Sequence, residues 1–200
     1  VASKLDIYNM AISNLGMGKE VASVTDSSSE RKACDRFYEE AKKSTLKAIS
    51  WPFATAYFTL NLIEESPDNE WGFSYRYPVD CLSVRRVLSG NRNDTKGTRV
   101  PYKILKDSAG KLIYTDRIDA EVEYTQNLDD PSYFSSEFVL ALSFRLAGYI
   151  APRITSGDPF KLKQEMFAQY QAEISLAKKE ALNEEVQEAS PESESITIRG

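Results

Sequence analysis

Apolar positions along the chain fall into stretches of two different periods. Leu5, Tyr8, Ala11, Ile12 and Leu15 recur at helical spacing, and Gly16 and Gly18 follow as a stop. A second helix is expected from Ser27-Ser28-Ser29-Glu30, where Ser27 and Glu30 stand as a capping box. Ala33, Phe37, Ala41 and Ala48 would line its inner face. Glu30, Arg31, Lys32, Asp35, Arg36, Glu39, Glu40, Lys42 and Lys43 charge the opposite one, a surface for solvent or for a neighbouring subunit. Pro52 forbids continuation and pushes Trp51 out of helical geometry.

After Trp51-Pro52-Phe53-Ala54 the period drops to that of a strand. Ala56, Phe58, Leu60 and Leu62 alternate with Tyr57, Thr59 and Asn61. Ser66-Pro67-Asp68-Asn69 is a turn cluster, and Phe73, Tyr75 and Tyr77 alternate again. Pro78 and Asp80 predict a corner, after which Leu82, Val84 and Val87 resume in extended form. Gly90-Asn91-Arg92-Asn93-Asp94 reads as a loop, and the Asn93-Asp94-Thr95 sequon means little without a secretion signal. Tyr102-Lys103-Ile104-Leu105 and Lys111-Leu112-Ile113-Tyr114 flank Asp107-Ser108-Ala109-Gly110 as a hairpin. Glu121-Val122-Glu123-Tyr124-Thr125 is the last strand.

Beyond Asp129-Asp130-Pro131 the helical period returns. Phe138, Leu142, Leu146, Tyr149 and Ile150 share a face, with Val139, Ala141, Phe144 and Ala147 filling in, so this helix should be the most buried element, ending at Pro152. Asp158 is placed to cap a fourth helix, with Pro159 in its first turn. Phe160, Phe167, Tyr170, Ile174, Ala177 and Ala181 mark its inner face, and to Val186 it would span ~40 Å. Ala189-Ser190-Pro191-Glu192-Ser193-Glu194-Ser195 reads as an acidic linker. Ile196-Thr197-Ile198-Arg199-Gly200 then forms a small β-prone end, suited to adding to a partner's sheet or groove. From Ser190 it could reach ~35 Å when extended.

These periods predict an α+β fold: a four-helix bundle with a β-rich insert between helices 2 and 3 and an extended C-terminal arm. Residues 1–53 and 130–189 would form the helical part, 54–129 the inserted β domain and 190–200 a flexible arm. Nine Phe, eleven Tyr and two Trp supply bulk for a packed core. No apolar run approaches the ~18 residues of a membrane span, and Val1-Ala2-Ser3-Lys4-Leu5-Asp6 lacks a signal-peptide pattern. The expectation is a soluble protein made in a cytoplasm.

The chain has no histidine, which excludes Ser-His-Asp and Cys-His catalysis and most zinc sites and leaves carboxylate- or lysine-based chemistry open. Cys34 and Cys81 match no metal spacing and are expected as buried free thiols. Gly16-Met17-Gly18-Lys19 lacks the loop and preceding strand of a phosphate-binding motif. Glu39-Glu40, Glu64-Glu65, Asp129-Asp130 and Glu184-Glu185 lie in charged or turn settings and select no acid–base pair. No catalytic residue, metal or cofactor is therefore expected.

The net charge of −5 is unevenly spread: −3 over residues 1–84, +6 over 85–117 and −8 over 118–200. Arg85, Arg86, Arg92, Lys96, Arg99, Lys103, Lys106, Lys111 and Arg117 interleave with Tyr102 and Tyr114. That pattern suits nucleic-acid contact, docking between copies, or an outward sheet face kept soluble by its charges.

Several segments, in this order and spacing, resemble a known family. They are Ile7-Tyr8-Asn9-Met10-Ala11-Ile12-Ser13-Asn14-Leu15-Gly16, Ser29-Glu30-Arg31-Lys32-Ala33-Cys34, Phe37-Tyr38, Ser50-Trp51-Pro52-Phe53-Ala54 and Tyr77-Pro78-Val79-Asp80-Cys81-Leu82-Ser83-Val84. The family is that of the head-to-tail adaptor (connector) proteins of tailed bacteriophages, in particular the tail tubular protein A or gatekeeper group of short-tailed phages. The resemblance covers the helical frame better than residues 85–125. It implies a structural virion protein, not an enzyme, made in the host bacterial cytoplasm and placed at the head-tail junction. There it would form a ring, dodecameric in such adaptors, below the portal protein and line the DNA exit channel. Its partners would be its own copies, the portal, the downstream nozzle or tail-tube protein, and in some phages tail fibres, with only non-specific proximity to DNA. The C-terminal arm of such adaptors inserts into the portal, which here implies Ile196, Thr197, Ile198 and Arg199. Arg85, Arg86, Arg92 and Lys103 are candidates for ring or tail contacts. The alternatives are a DNA-binding accessory protein using the basic hairpin of residues 85–117 and a carboxylate-based glycan hydrolase.

Overall fold

The computed structural model describes residues 2–18, 20–91 and 98–184. Four helices, α1 (Lys4–Asn14), α2 (Ser29–Ala48), α3 (Ser136–Ile154) and α4 (Pro159–Glu184), accompany seven strands. The strands are β1 (Thr55–Thr59), β2 (Leu62–Glu65), β3 (Phe73–Arg76), β4 (Cys81–Val87), β5 (Lys103–Asp107), β6 (Gly110–Thr115) and β7 (Glu121–Gln126). The expected linker, the Ile196–Arg199 arm, Arg92, Lys96, the sequon and the helix end at Val186 all lie outside the described residues.

Helix ends follow local chemistry. A capping box opens α1, where Ser3 Oγ accepts from Asp6 N–H at 3.2 Å and the Asp6 carboxylate accepts from Ser3 N–H at 2.8 Å. Gly16, at φ +71°, provides the left-handed turn after it. In α2 the cap is Ser28 instead of Ser27; its Oγ accepts from Arg31 N–H at 3.3 Å. This one-residue shift takes Glu30 out of the capping-box position. The inner face of α2 is formed by Ala33, Cys34, Tyr38, Ala41, Thr45 and Leu46, and Ala48 is exposed. Asp158 caps α4 as expected, accepting from Lys161 N–H at 3.0 Å. Helix α3 does not stop at Pro152 but continues to Ile154. The proline sits in the last turn, where little of the hydrogen-bond ladder remains to be lost.

The helices do not form the expected four-helix bundle with a β insert. Helix α3 is a hub against which α1, α2 and α4 each pack, while α1 and α2 meet mainly through long side chains such as Tyr8 and Tyr38. Ten of its residues are buried, from Phe138 to Ala151, so its surface serves three neighbours, and the helical core is built around α3 with unequal shares from the other three helices. Helix α4 has too narrow an apolar face for an equal share. Met166, Tyr170 and Ala177 are its buried side chains among the described ones, and Phe160, expected inside, is 67% exposed. Its close approach depends on Gly148, where a Cβ would come within 2.7 Å of the Phe167 ring.

Between α2 and α3 the chain builds two antiparallel sheets, ordered β1-β7-β4 and β2-β3-β6-β5. Only the β2–β3 and β5–β6 hairpins stay within one sheet; every other connection crosses between them. The expected first strand is thus divided at Leu60-Asn61. Leu60 N–H donates to Ala120 O on the β1 side, and Arg76 N–H donates to Asn61 O on the β2 side. The Asp107–Gly110 hairpin forms as expected, with Asp107 Oδ1 accepting from both Ala109 and Gly110 N–H at 2.8 Å. Tyr75 and Ile113 from one sheet meet Val84, Val87, Val122 and Tyr124 from the other in a core separate from the helical one.

Candidate functional site

The joints between helices and sheets hold most of the specific polar geometry. Trp51 is extended and buried at the end of α2; its indole N–H donates to Thr45 O at 2.9 Å, and its ring meets Phe138 edge-on at 5.1 Å. Arg85, on β4, turns inward to the same helix end. Its guanidinium donates to Ile49 O at 2.6 Å, to Leu46 O at 3.3 Å and to Thr125 Oγ1 at 2.7 Å. A cation there satisfies carbonyls that a helix end leaves without partners and complements the negative end of its dipole. The Pro78–Asp80 corner is closed by Asp80, whose carboxylate accepts from Tyr124 Oη at 3.0 Å and Gln126 Nε2 at 2.7 Å.

Two further ionic clusters brace α2. Lys42 is fully buried, and its ammonium reaches Asp129 at 2.6 Å and Glu39 at 3.0 Å. Asp35 accepts from Tyr8, Arg31 and Lys4. The hydrogen bond and charge of Lys42 hold the Asp129 carboxyl below its ordinary 3.8. Partial burial pushes Asp35 up, but the hydrogen bonds from Tyr8 and Lys4 and the nearby cations outweigh it, so Asp35 too lies low. Burial, aided by Asp35 and Glu30, pushes the Cys34 thiol up to about 12, the state of an unreactive core cysteine.

Both carboxylates have depressed folded values, so their stabilising contribution is present above the ordinary carboxylate range and is lost as pH falls through the lowered values. The denaturation midpoint should therefore drop as pH is taken below about 4. In Asp129→Asn the acid limb should be shallower, and denaturant titrations of both proteins across that range measure it. Parallel acid limbs would show that the Lys42–Asp129 pair carries none of the effect.

No protein-family model and no curated protein matches the chain. Among the described residues no three Cys, Asp or Glu side chains gather as a metal site, and no helix is long and apolar enough to cross a membrane. An open depression of about 420 Å³ lies between the first turn of α2 and the last turn of α3, lined by Ser29, Lys32, Ala33, Pro152, Arg153 and Ile154.

The candidate contact residues are dispersed. Arg85 is committed to the end of α2, and Arg86 pairs with Glu123 at 2.7 Å across β4 and β7. Lys103 stays at the surface of β5, 3.7 Å from the exposed Glu70. Three of the paired carboxylates take structural roles: Glu39 and Asp129 hold Lys42, and Asp130 Oδ1 accepts from Ser132 N–H at 2.9 Å ahead of α3. The alternating run of Ala56, Phe58, Leu60 and Leu62 does not share one buried face: Leu60 is buried, whereas Tyr57, Phe58, Leu62 and Ile63 are exposed on the edge strands β1 and β2. The available signal was Glu64-Glu65, since charges next to apolar residues are common on sheet edges.

Proposed function

We propose that this chain is a structural subunit of the head-to-tail connector of a tailed bacteriophage, forming a ring below the portal around the path of the DNA. In this reading it is not an enzyme. Its working parts are its contacts with other copies, with the portal through residues 190–200, and with the next tail component. The observation that carries the proposal is the place of the resembling segments: Ser50–Ala54 and Tyr77–Val84 are where the chain passes between helices and sheets or between the two sheets. Such segments define a frame, and the resemblance is one of frame. The DNA-binding alternative draws less support. Arg85 and Arg86, at the head of the basic stretch, are held by partners within the fold.

Electron microscopy of the protein mixed with the portal ring of the same virus tests the proposal. An added ring of density on the tail-facing side is expected, and it should disappear when residues 190–200 are removed. Unaltered portal particles at saturating protein would overturn the reading. Tight duplex binding with a steep salt dependence would favour the accessory-protein alternative.

A further inference from the structure

The four-stranded sheet has two chemically opposite edges. At one end lies β2, Leu62-Ile63-Glu64-Glu65, and at the other β5, Lys103-Ile104-Leu105-Lys106-Asp107. All of β2 is exposed, and β5 is exposed except for the half-buried Leu105. Among the described residues their backbone ladders run only inward, β2 to β3 and β5 to β6. An exposed edge of this kind is a template for another strand. We propose that copies of this chain join through it, the β2 edge of one copy adding to the β5 edge of the next so that the sheet continues from subunit to subunit.

Strand direction permits this without turning either copy over. Each neighbouring pair in β2-β3-β6-β5 is antiparallel, so β2 and β5 run in opposite directions. A second copy in the same orientation therefore lays its β2 antiparallel to the first copy's β5. The register is also complementary. One row across the sheet is Leu62, Tyr75, Ile113 and Ile104; the adjacent row is Glu64, Ser74, Tyr114 and Lys103. Continued straight across the junction, these rows set Ile104 against Leu62 and Lys103 against Glu64 of the next copy.

The apolar row is closed at its centre and open at both ends: Tyr75 and Ile113 are 1% and 0% exposed, Leu62 and Ile104 48% and 43%. Joining would bury those two ends together. A register irregularity between Leu62 and Glu64 sets Ile63 outside the rows, where it is equally exposed.

Charge selects this pairing over the symmetric ones. Two β5 edges would bring Lys103 and Lys106 of both copies together, and two β2 edges would gather Glu64 and Glu65 of both; like charges close across a ladder are destabilising. Among the described residues Glu64, Glu65 and Lys106 have no ion-pair partner. The Lys103–Glu70 pair at 3.7 Å is exposed enough to exchange at little cost. A contact between unlike surfaces repeats head to tail, into a closed ring or an open filament. Only its closure as a ring rests on the connector reading.

The test is a charge swap read by sedimentation velocity from micromolar to millimolar protein. Wild type is expected to self-associate. Glu64→Lys with Glu65→Lys, and separately Lys103→Glu with Lys106→Glu, should each remain monomeric or associate at least about tenfold more weakly, a loss of about 1.4 kcal/mol per contact. Their circular dichroism should be unchanged, because all four positions lie on exposed strands. An equimolar mixture of the two variants presents opposite charges at every junction and should associate as wild type does. A monomeric wild type, variants that associate undiminished, or a mixture that fails to recover would each overturn the proposal. These outcomes do not depend on the portal, so the edge contact and the connector reading stand or fall separately.

Discussion

Replacing Phe138 with alanine is expected to cost about 4 kcal/mol of folding free energy, the middle of the range for truncating a buried aromatic ring. The ring is fully buried and meets three others: Phe134 at 4.7 Å, Trp51 at 5.1 Å and Phe53 at 5.2 Å between centroids. Trp51 and Phe53 belong to the exit from α2, and Phe134 to the turn that leads into α3. One side chain of the hub helix thus pins the points where the chain leaves the helical layer and returns to it. Edge-to-face pairs add to the area buried, and the walls cannot close on the void because two of them are tied into backbone turns. Urea denaturation followed by tryptophan fluorescence measures the loss, and Phe138→Leu should recover more than half of it. A loss below about 1.5 kcal/mol would mean that the cluster collapses onto the gap and does not fix the joint.

The second large effect is expected at Arg85. Arg85→Met keeps the aliphatic stem but removes the donors to Ile49 O, Leu46 O and Thr125 Oγ1. Hydrogen bonds to a charged group contribute about 1.5–3 kcal/mol, and orphaned carbonyls add their own cost, so a destabilisation of about 3 kcal/mol is expected. Arg85→Lys should recover only part of it, since one ammonium cannot reach a strand hydroxyl and a helix end together as the planar fork does. Thr125→Val removes one of these contacts and should cost about 1 kcal/mol. Equal stability of the methionine and wild-type proteins would remove Arg85 as the link between α2 and the sheet of β1, β7 and β4.

Arg85 also marks where sequence reading runs out. Its residue type and its neighbours Arg86 and Lys103 suggested an outward basic surface. A strand places successive side chains on opposite faces, but sequence does not reveal what each face meets. Here one face of β4 meets the C-terminal turn of α2, and the cation turns inward. Lys42 is the same kind of case: it belonged to the charged face of α2 by spacing, yet it is fully buried, its ammonium paired with Asp129 and Glu39. The Asp107–Gly110 hairpin, the stop at Trp51-Pro52 and the cap at Asp158 were legible because each depends on a few adjacent residues. The edge position of β2 was not, because an alternating run does not state how many neighbours its strand will have.

By itself the sequence determined which stretches are helical and which extended, the Asp107–Gly110 hairpin, that no histidine chemistry is available, and that the middle of the chain is basic while the rest is acidic. These are matters of local period, backbone restriction and composition. Only the tertiary structure decided that α3 is a hub and not one helix of a four-helix bundle, that two sheets exchange strands over a core of their own, and that Glu64 and Lys103 stand at opposite edges of one sheet. Those outcomes depend on which faces meet, and that is settled by how much apolar surface each face can bury against all the others at once.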